Sequence, residues 1–321
     1  MSLALVFPGQ GSQSIGMLGE LSQAHPQVAR TFAEASEALG YDLWEVVSAG
    51  PPEKLNSTEC TQPAMLTAGV ATWRVWRELA GPVPALVAGH SLGEFTALVC
   101  AGALEFAPTV ALVRDRGQYM QRAVPPGGGA MAAILGLDDA AAEQACLEAA
   151  QGEVVEAVNY NAPGQLVIAG TAAAVARAIA LAKARGAKRA IALPVSVPAH
   201  SSLMNAAAVE LRERLRTLAV SAPRCRYVSA VDAAEHSDPE EIRALLGGQL
   251  SRPVRWTRTV QALTALGATL LVECGPGKVL SALNRRIERL PEVNCLALED
   301  EATLRAALAA AGGASTSGSG L

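Results

Sequence analysis

Short apolar runs alternate along the first third of the chain with longer stretches whose apolar positions recur every three or four residues. Leu3 to Phe7 reads as a strand, and helical spacing follows near Ser14 to Ala24, Gln27 to Leu39 and Pro63 to Leu79. A second apolar run, Val83 to Ala88, leads into a helix-compatible stretch from Glu94 to Gly102. Strands alternating in this way with helices predict a parallel sheet covered by helices on both faces.

The rhythm breaks at Pro125-Pro126-Gly127-Gly128-Gly129. From there the pattern predicts strand (Ala130 to Leu135), helix (Asp138 to Ala150), strand (Val154 to Asn159), strand (Gln165 to Ala169), helix (Thr171 to Arg185) and strand (Arg189 to Val195). This βαββαβ order is that of the ferredoxin-like split unit. Thr171 is placed to cap the second helix and Gly186 to end it, while Asn161-Ala162-Pro163-Gly164 supplies the turn between the middle strands. After Pro198 the first rhythm returns, with Thr269 to Val272 as a buried strand entering Cys274-Gly275-Pro276-Gly277. The expected organisation is a discontinuous α/β domain from residues 1–126 and 199–312, an inserted domain at 127–198 and a flexible Gly/Ser/Thr-rich tail at 313–321.

The chain of 321 residues is half apolar but only 4% aromatic, so its core must be built mostly from Ala, Val and Leu. A net charge of −4 with no basic run argues against nucleic acid and anionic membranes as partners. The six cysteines are widely spaced and form no C-x-x-C, which predicts reduced, mostly buried thiols and neither a zinc knuckle nor a disulfide framework. No basic leader precedes Leu3 and no apolar stretch reaches membrane-span length, so a cytoplasmic protein is expected, with a monomer as the default.

Gly89-His90-Ser91-Leu92-Gly93 is a G-x-S-x-G pentapeptide at a strand-to-helix junction. Such a turn presents a serine hydroxyl above the sheet edge, with backbone N–H groups of the new helix facing the carbonyl under attack. Ser91 is thus a candidate nucleophile, and a nucleophile needs a base. Of four histidines, His25 and His236 read as solvated surface groups, and His90 adjoins Ser91 and more plausibly braces the turn. His200 remains, in the Pro194 to His200 loop where the insert rejoins the main domain; its alternative is a loop histidine bonded to backbone. No acidic third member is evident nearby, which argues against an ordinary Ser-His-Asp hydrolase. Phe7-Pro8-Gly9-Gln10-Gly11 exposes backbone N–H groups at a strand end, which suits an anion pocket or an ordinary Gly-rich turn.

Taken together, Phe7 to Gln13, Gly89 to Glu94, Arg116-Gly117 with Met120-Gln121, Asn159 to Gly164, Val195 to His200, Gln249 with Pro253 to Trp256, and Gly275-Pro276-Gly277 resemble the malonyl-CoA:acyl carrier protein transacylases of bacterial type II fatty acid synthesis. The resemblance implies an α/β-hydrolase-like large domain with a ferredoxin-like insert, and ping-pong transfer of malonyl from malonyl-CoA to the phosphopantetheine thiol of acyl carrier protein, with no cofactor and no metal. It also implies Ser91 as nucleophile, His200 as base, a Gln249 backbone carbonyl orienting His200, and oxyanion N–H groups from Gln10 and Leu92. Arg116, by spacing alone a helix-surface arginine beside Arg114 and Arg122, becomes the partner of the malonyl carboxylate. An acetyl group would then leave it unpaired, at a cost of about 3–5 kcal/mol if well buried. Asn159 and Asn161 match positions that contact CoA, although turn asparagines look the same. Arg185, Lys188 and Arg189 suit an acidic carrier, and equally a helix C-terminus complementing its own dipole. A serine esterase or a polyketide acyltransferase with another acyl preference is the alternative.

Overall fold

The structure is a computed structural model that describes residues 2–195 and 197–312; the tail expected at 313–321 lies outside them. Among the described residues there are ten strands: β1 (Leu3–Phe7), β2 (Leu86–Gly89), β3 (Gly129–Leu135), β4 (Val155–Ala162), β5 (Gln165–Thr171), β6 (Arg189–Ala192), β7 (Arg226–Val228), β8 (Glu235–His236), β9 (Leu270–Glu273) and β10 (Asn294–Ala297). They form two sheets, ordered β10-β9-β1-β2-β7-β8 and β4-β5-β3-β6. The first is parallel except for β8, and the second is antiparallel throughout.

Every residue of β1, β2 and β9 is buried, as befits parallel strands with helices on both faces. The Thr58–Glu78 helix runs through the core, and its small residues permit close approach: a Cβ on Gly69 would lie 2.6 Å from Thr96 Cγ2. In the antiparallel sheet, side chains alternate between faces. Ala132, Ile134, Leu166 and Ile168 pack beneath the Asp139–Ala150 and Ala172–Ala184 helices, whereas Met131, Val158, Val167 and Ala169 pack with Leu193, Val195 and Ala199 on the other face. Asp138 and Thr171 accept from the N–H groups of Ala141 and Ala174, capping those helices.

The two sheets are tied together beside the cleft between them. Val254 donates to Val158 O (2.8 Å) and accepts from Tyr160 N–H (2.9 Å), while the Glu156 carboxylate accepts from both N–H and hydroxyl of Ser202 at 2.7 Å.

Several boundaries differ from the sequence expectation for local reasons. The helix sought at Ser14 to Ala24 starts at Gly19, because Gly16 and Leu18 are left-handed (φ 80° and 62°). β6 stops at Ala192 rather than Val195, since Pro194 has no N–H to continue the ladder. β4 runs past Asn159 to Ala162 through two irregularities, leaving Pro163-Gly164 as the turn. His25 and His236 are not simply solvated: His25 pairs with Glu301 at 2.8 Å, and His236 lies between Asp232 (2.9 Å) and Glu241 (3.3 Å). The cysteines are all unpaired, four of them buried. Among the described residues no helix is long and apolar enough to cross a membrane.

Candidate active site

β1, β2 and β9 end side by side, with Phe7 opposite Gly89 and Val6 opposite Glu273. The loops leaving β1 and β2 line a cleft of about 460 Å³, the usual ligand position in open α/β sheets. Between β2 and the Gly93–Cys100 helix the chain turns through Ser91 with φ 52°. Only glycine fits at both ends of this turn: a Cβ on Gly89 would come within 1.9 Å of the Gly93 carbonyl carbon, and one on Gly93 within 2.0 Å of Phe7 O.

His200 is 4% exposed and also left-handed, at φ 68°. A non-glycine residue in this region costs of order 1–3 kcal/mol, and the two residues whose side chains meet here both carry that strain. His200 Nε2 lies 2.8 Å from Ser91 Oγ. Its Nδ1 lies 3.0 Å from Gln249 O and 3.1 Å from Arg252 O. Two carbonyls accept only from a protonated nitrogen, so Nδ1 carries the hydrogen and Nε2 is left to accept from the serine hydroxyl. Burial, then the nearby Arg116 charge, push the imidazole down to about 3, so it is neutral at physiological pH with Nε2 free to accept.

Gln10 and Leu92 line the cleft beside Ser91, and among the described residues neither backbone N–H has a hydrogen-bond partner. Gly275 packs against the turn after β1: a Cβ there would meet Pro8 at 3.1 Å. His90 braces the turn, with Nε2 2.9 Å from Asn161 Oδ1 and its ring 5.7 Å from that of Trp256. The Asn161 side-chain carbonyl is thus engaged, whereas Asn159 lines the cleft and its buried Oδ1 has no partner among the described residues.

Arg116 is 1% exposed and belongs to the pocket, not to the surface of its Phe106–Arg122 helix. Nη1 donates to Gln62 Oε1 (2.7 Å), and Nη2 donates to Gln249 Oε1 (2.7 Å) and Ser91 Oγ (3.1 Å), with the guanidinium 5.5 Å over the Phe95 ring. These carbonyl partners correct the expectation that an acetyl chain leaves Arg116 bare. An acyl chain without a carboxylate would forgo only whatever charge-assisted bonds a carboxylate makes there, about 1.5–3 kcal/mol each. Burial pulls the guanidinium down to about 9, still charged at neutral pH.

Sequence reasoning missed three side chains: Gln62, the amide of Gln249, and Glu94. The signal for Glu94 was an acid one step beyond the turn in an otherwise apolar helix; Gln62 and Gln249 gave none beyond being polar among buried neighbours. On the antiparallel lobe, Arg185 pairs with Glu148 at 2.5 Å, and Lys188 and Arg189 are exposed. Among the described residues no cluster of three or more His, Cys, Asp or Glu is placed to hold a metal.

A family model described as acyl transferase domain matches residues 4–295. The chain belongs to the acyl transferase family. Its relatives include the malonyl CoA-acyl carrier protein transacylases of Salmonella typhimurium (54% identical) and Escherichia coli K12 (53%), each over 95% of this chain and 98% of the relative. Among solved structures, the transacylase of Coxiella burnetii superposes with a TM-score of 0.94 at 48% identity, covering 96% of this chain and 97% of that one. A malonyl-transacylase solved with a type II polyketide acyl-carrier protein gives 0.95 at 51%, covering 97% and 100%. Mixed α/β architecture with one parallel and one antiparallel sheet is thus common to this acyl transferase and its solved relatives.

Proposed function

We propose that this acyl transferase moves a malonyl group from malonyl-CoA to the phosphopantetheine thiol of acyl carrier protein through a malonyl-Ser91 intermediate. The observation that carries the reading is Ser91 Oγ held between His200 Nε2 (2.8 Å) and Arg116 Nη2 (3.1 Å). A single methylene separates the thioester carbonyl of malonyl-CoA from its free carboxylate. A guanidinium touching the nucleophile therefore suits a three-carbon diacid and is too close for a longer one.

Ser91 Oγ attacks the thioester carbon while His200 Nε2 takes its proton, and the Gln249 and Arg252 carbonyls steady the resulting imidazolium through Nδ1–H. The oxyanion faces the N–H groups of Gln10 and Leu92. Collapse expels the CoA sulfur, which leaves with the proton from His200. The carrier thiol then gives its proton to His200 and attacks the ester carbonyl, and Ser91 departs reprotonated. The third position is held by the Gln249 and Arg252 carbonyls, and among the described residues no carboxylate contacts His200 Nδ1, which disfavours the serine esterase alternative.

In this reading residues 1–126 and 199–312 form an α/β-hydrolase-like domain and residues 127–198 a ferredoxin-like one, supported by the β4-β5-β3-β6 order and the βαββαβ succession. The unpartnered carbonyl of Asn159, with Asn161 beside it, takes the amides of the pantetheine arm. Exposed Lys188 and Arg189 meet the acidic carrier, with Arg185 contributing only the charge that Glu148 leaves it.

Incubation with malonyl-CoA followed by intact-mass analysis should show one malonyl adduct on Ser91, which addition of holo-carrier removes quantitatively onto the carrier. Release of free malonate with no carrier adduct would overturn transfer in favour of hydrolysis.

A further inference from the structure

Arg116 has only hydrogens to give, so the Gln249 side chain must face it with its carbonyl end. Shape does not enforce this, because the two ends of an amide are nearly isosteric. What enforces it lies on the far side. Gln249 Nε2 donates to the backbone carbonyl of Ser91 (3.0 Å) and to Oε2 of Glu94, which is 1% exposed. Glu94 Oε1 accepts from Tyr227 O–H (2.6 Å), Ser229 O–H (2.8 Å) and Ala230 N–H (2.9 Å). The Ser229 hydroxyl in turn accepts from Val231 N–H at 3.2 Å, which leaves its hydrogen for Glu94. Ala230 N–H can only donate, and the other three contacts suit donation to a carboxylate, which opposes the upward push of burial on the Glu94 carboxyl.

We propose that Glu94 is a positioning residue for acyl selectivity, holding the Gln249 amide so that its oxygen fixes Arg116 where the malonyl carboxylate arrives. This rests on the malonyl-transfer reading above. Replacing Glu94 by Gln changes no volume but adds one NH2. The new carbonyl must stay with Ala230 N–H, which can only donate, so the new NH2 faces that of Gln249. The Gln249 amide then has no satisfied orientation: turned over, it sets its oxygen against the Ser91 carbonyl and its hydrogens against the guanidinium, and unturned, it is pushed off position 94. Either way Arg116 loses the fixed acceptor on Nη2. An acetyl donor has no carboxylate to anchor and is indifferent to this loss, while the Gln249 backbone carbonyl stays on His200.

The experiment measures kcat/KM, KM and kcat for malonyl-CoA and acetyl-CoA in wild type, Glu94→Gln and Gln249→Met, with thermal melts for each. Expected is a fall of at least tenfold in the malonyl-to-acetyl ratio in both variants, carried mainly by KM for malonyl-CoA. Should Glu94→Gln fail to fold, Glu94→Asp takes its place with the same fall expected, since the shorter acid withdraws its acceptor from the Gln249 amide and leaves Gln249 itself unchanged. An unchanged ratio, or an equal fall for both donors, overturns the proposal alone. A wild type that takes no malonyl group onto Ser91 overturns the functional reading, and this one with it.

Discussion

The two sides of the cleft are built on opposite plans. On one side, Ser91 and His200 are set by backbone: each sits in a left-handed conformation, one at a turn between glycines and the other with its ring fixed by main-chain carbonyls. On the other, Arg116 is set by side chains from separate helices and turns, Gln62, Gln249 and, one step behind, Glu94. In the proposed mechanism, backbone fixes where bonds are made and broken, and side chains fix which acyl group is brought there. Chemistry and selectivity should therefore fail separately.

The largest expected effect tests the backbone side. Ser91→Ala abolishes the malonyl adduct, and His200→Ala lowers kcat/KM by about 10²–10⁴ for malonyl and acetyl donors alike, since both need the same proton transfer. Labelling that persists in Ser91→Ala would mean another nucleophile. A His200→Ala loss confined to one donor would erase the division between the two sides.

Arg116→Ala tests the other side, with a smaller and selective loss. Two charge-assisted bonds at about 1.5–3 kcal/mol each bound the malonyl penalty from above. Because Gln62 and Gln249 already occupy both Nη atoms, the net loss is one bond's worth, roughly a 10- to 100-fold fall in malonyl kcat/KM with acetyl transfer spared. Steady-state rates with the two donors check this, and a malonyl-to-acetyl ratio equal to that of wild type removes Arg116 from selectivity.

The same division explains what was legible in the sequence. The Ser91 turn was readable because close backbone contact leaves glycine as the only option at 89 and 93, and His200 by elimination among four histidines. β1 matched residue for residue, since its apolar run is bounded by polar Ser2 and by Pro8, which has no N–H to continue the ladder. Arg116 was ambiguous because a guanidinium on a helix flanked by Arg114 and Arg122 looks solvated until the Thr58–Glu78 and Gly93–Cys100 helices are packed over it. Gln62, Glu94 and the Gln249 side chain were not legible as partners. Their hydrogen bonds span 54, 155 and 133 positions of chain, and no local pattern encodes such meetings.

The smallest expected effect lies where the two sides touch. As the proposed base His200 must be neutral to act, so activity is expected above its folded pKa and lost as pH falls through it. Burial first, and the Arg116 charge second, hold that value down to about 3, with His90 adding slightly in the same direction and the Gln249 and Arg252 carbonyls opposing. The acid limb of kcat/KM, which reports the free enzyme, should therefore have its midpoint well below the ordinary histidine value of about 6.5. In Arg116→Ala the second cause is gone and the first remains, so the limb for acetyl-CoA moves upward but stays below about 6.5. A wild-type midpoint near 6.5 would mean that solvent reaches His200. A limb that does not move would mean that the arginine beside Ser91 is electrostatically silent toward the base, and that the two sides of the cleft are independent even at their point of contact.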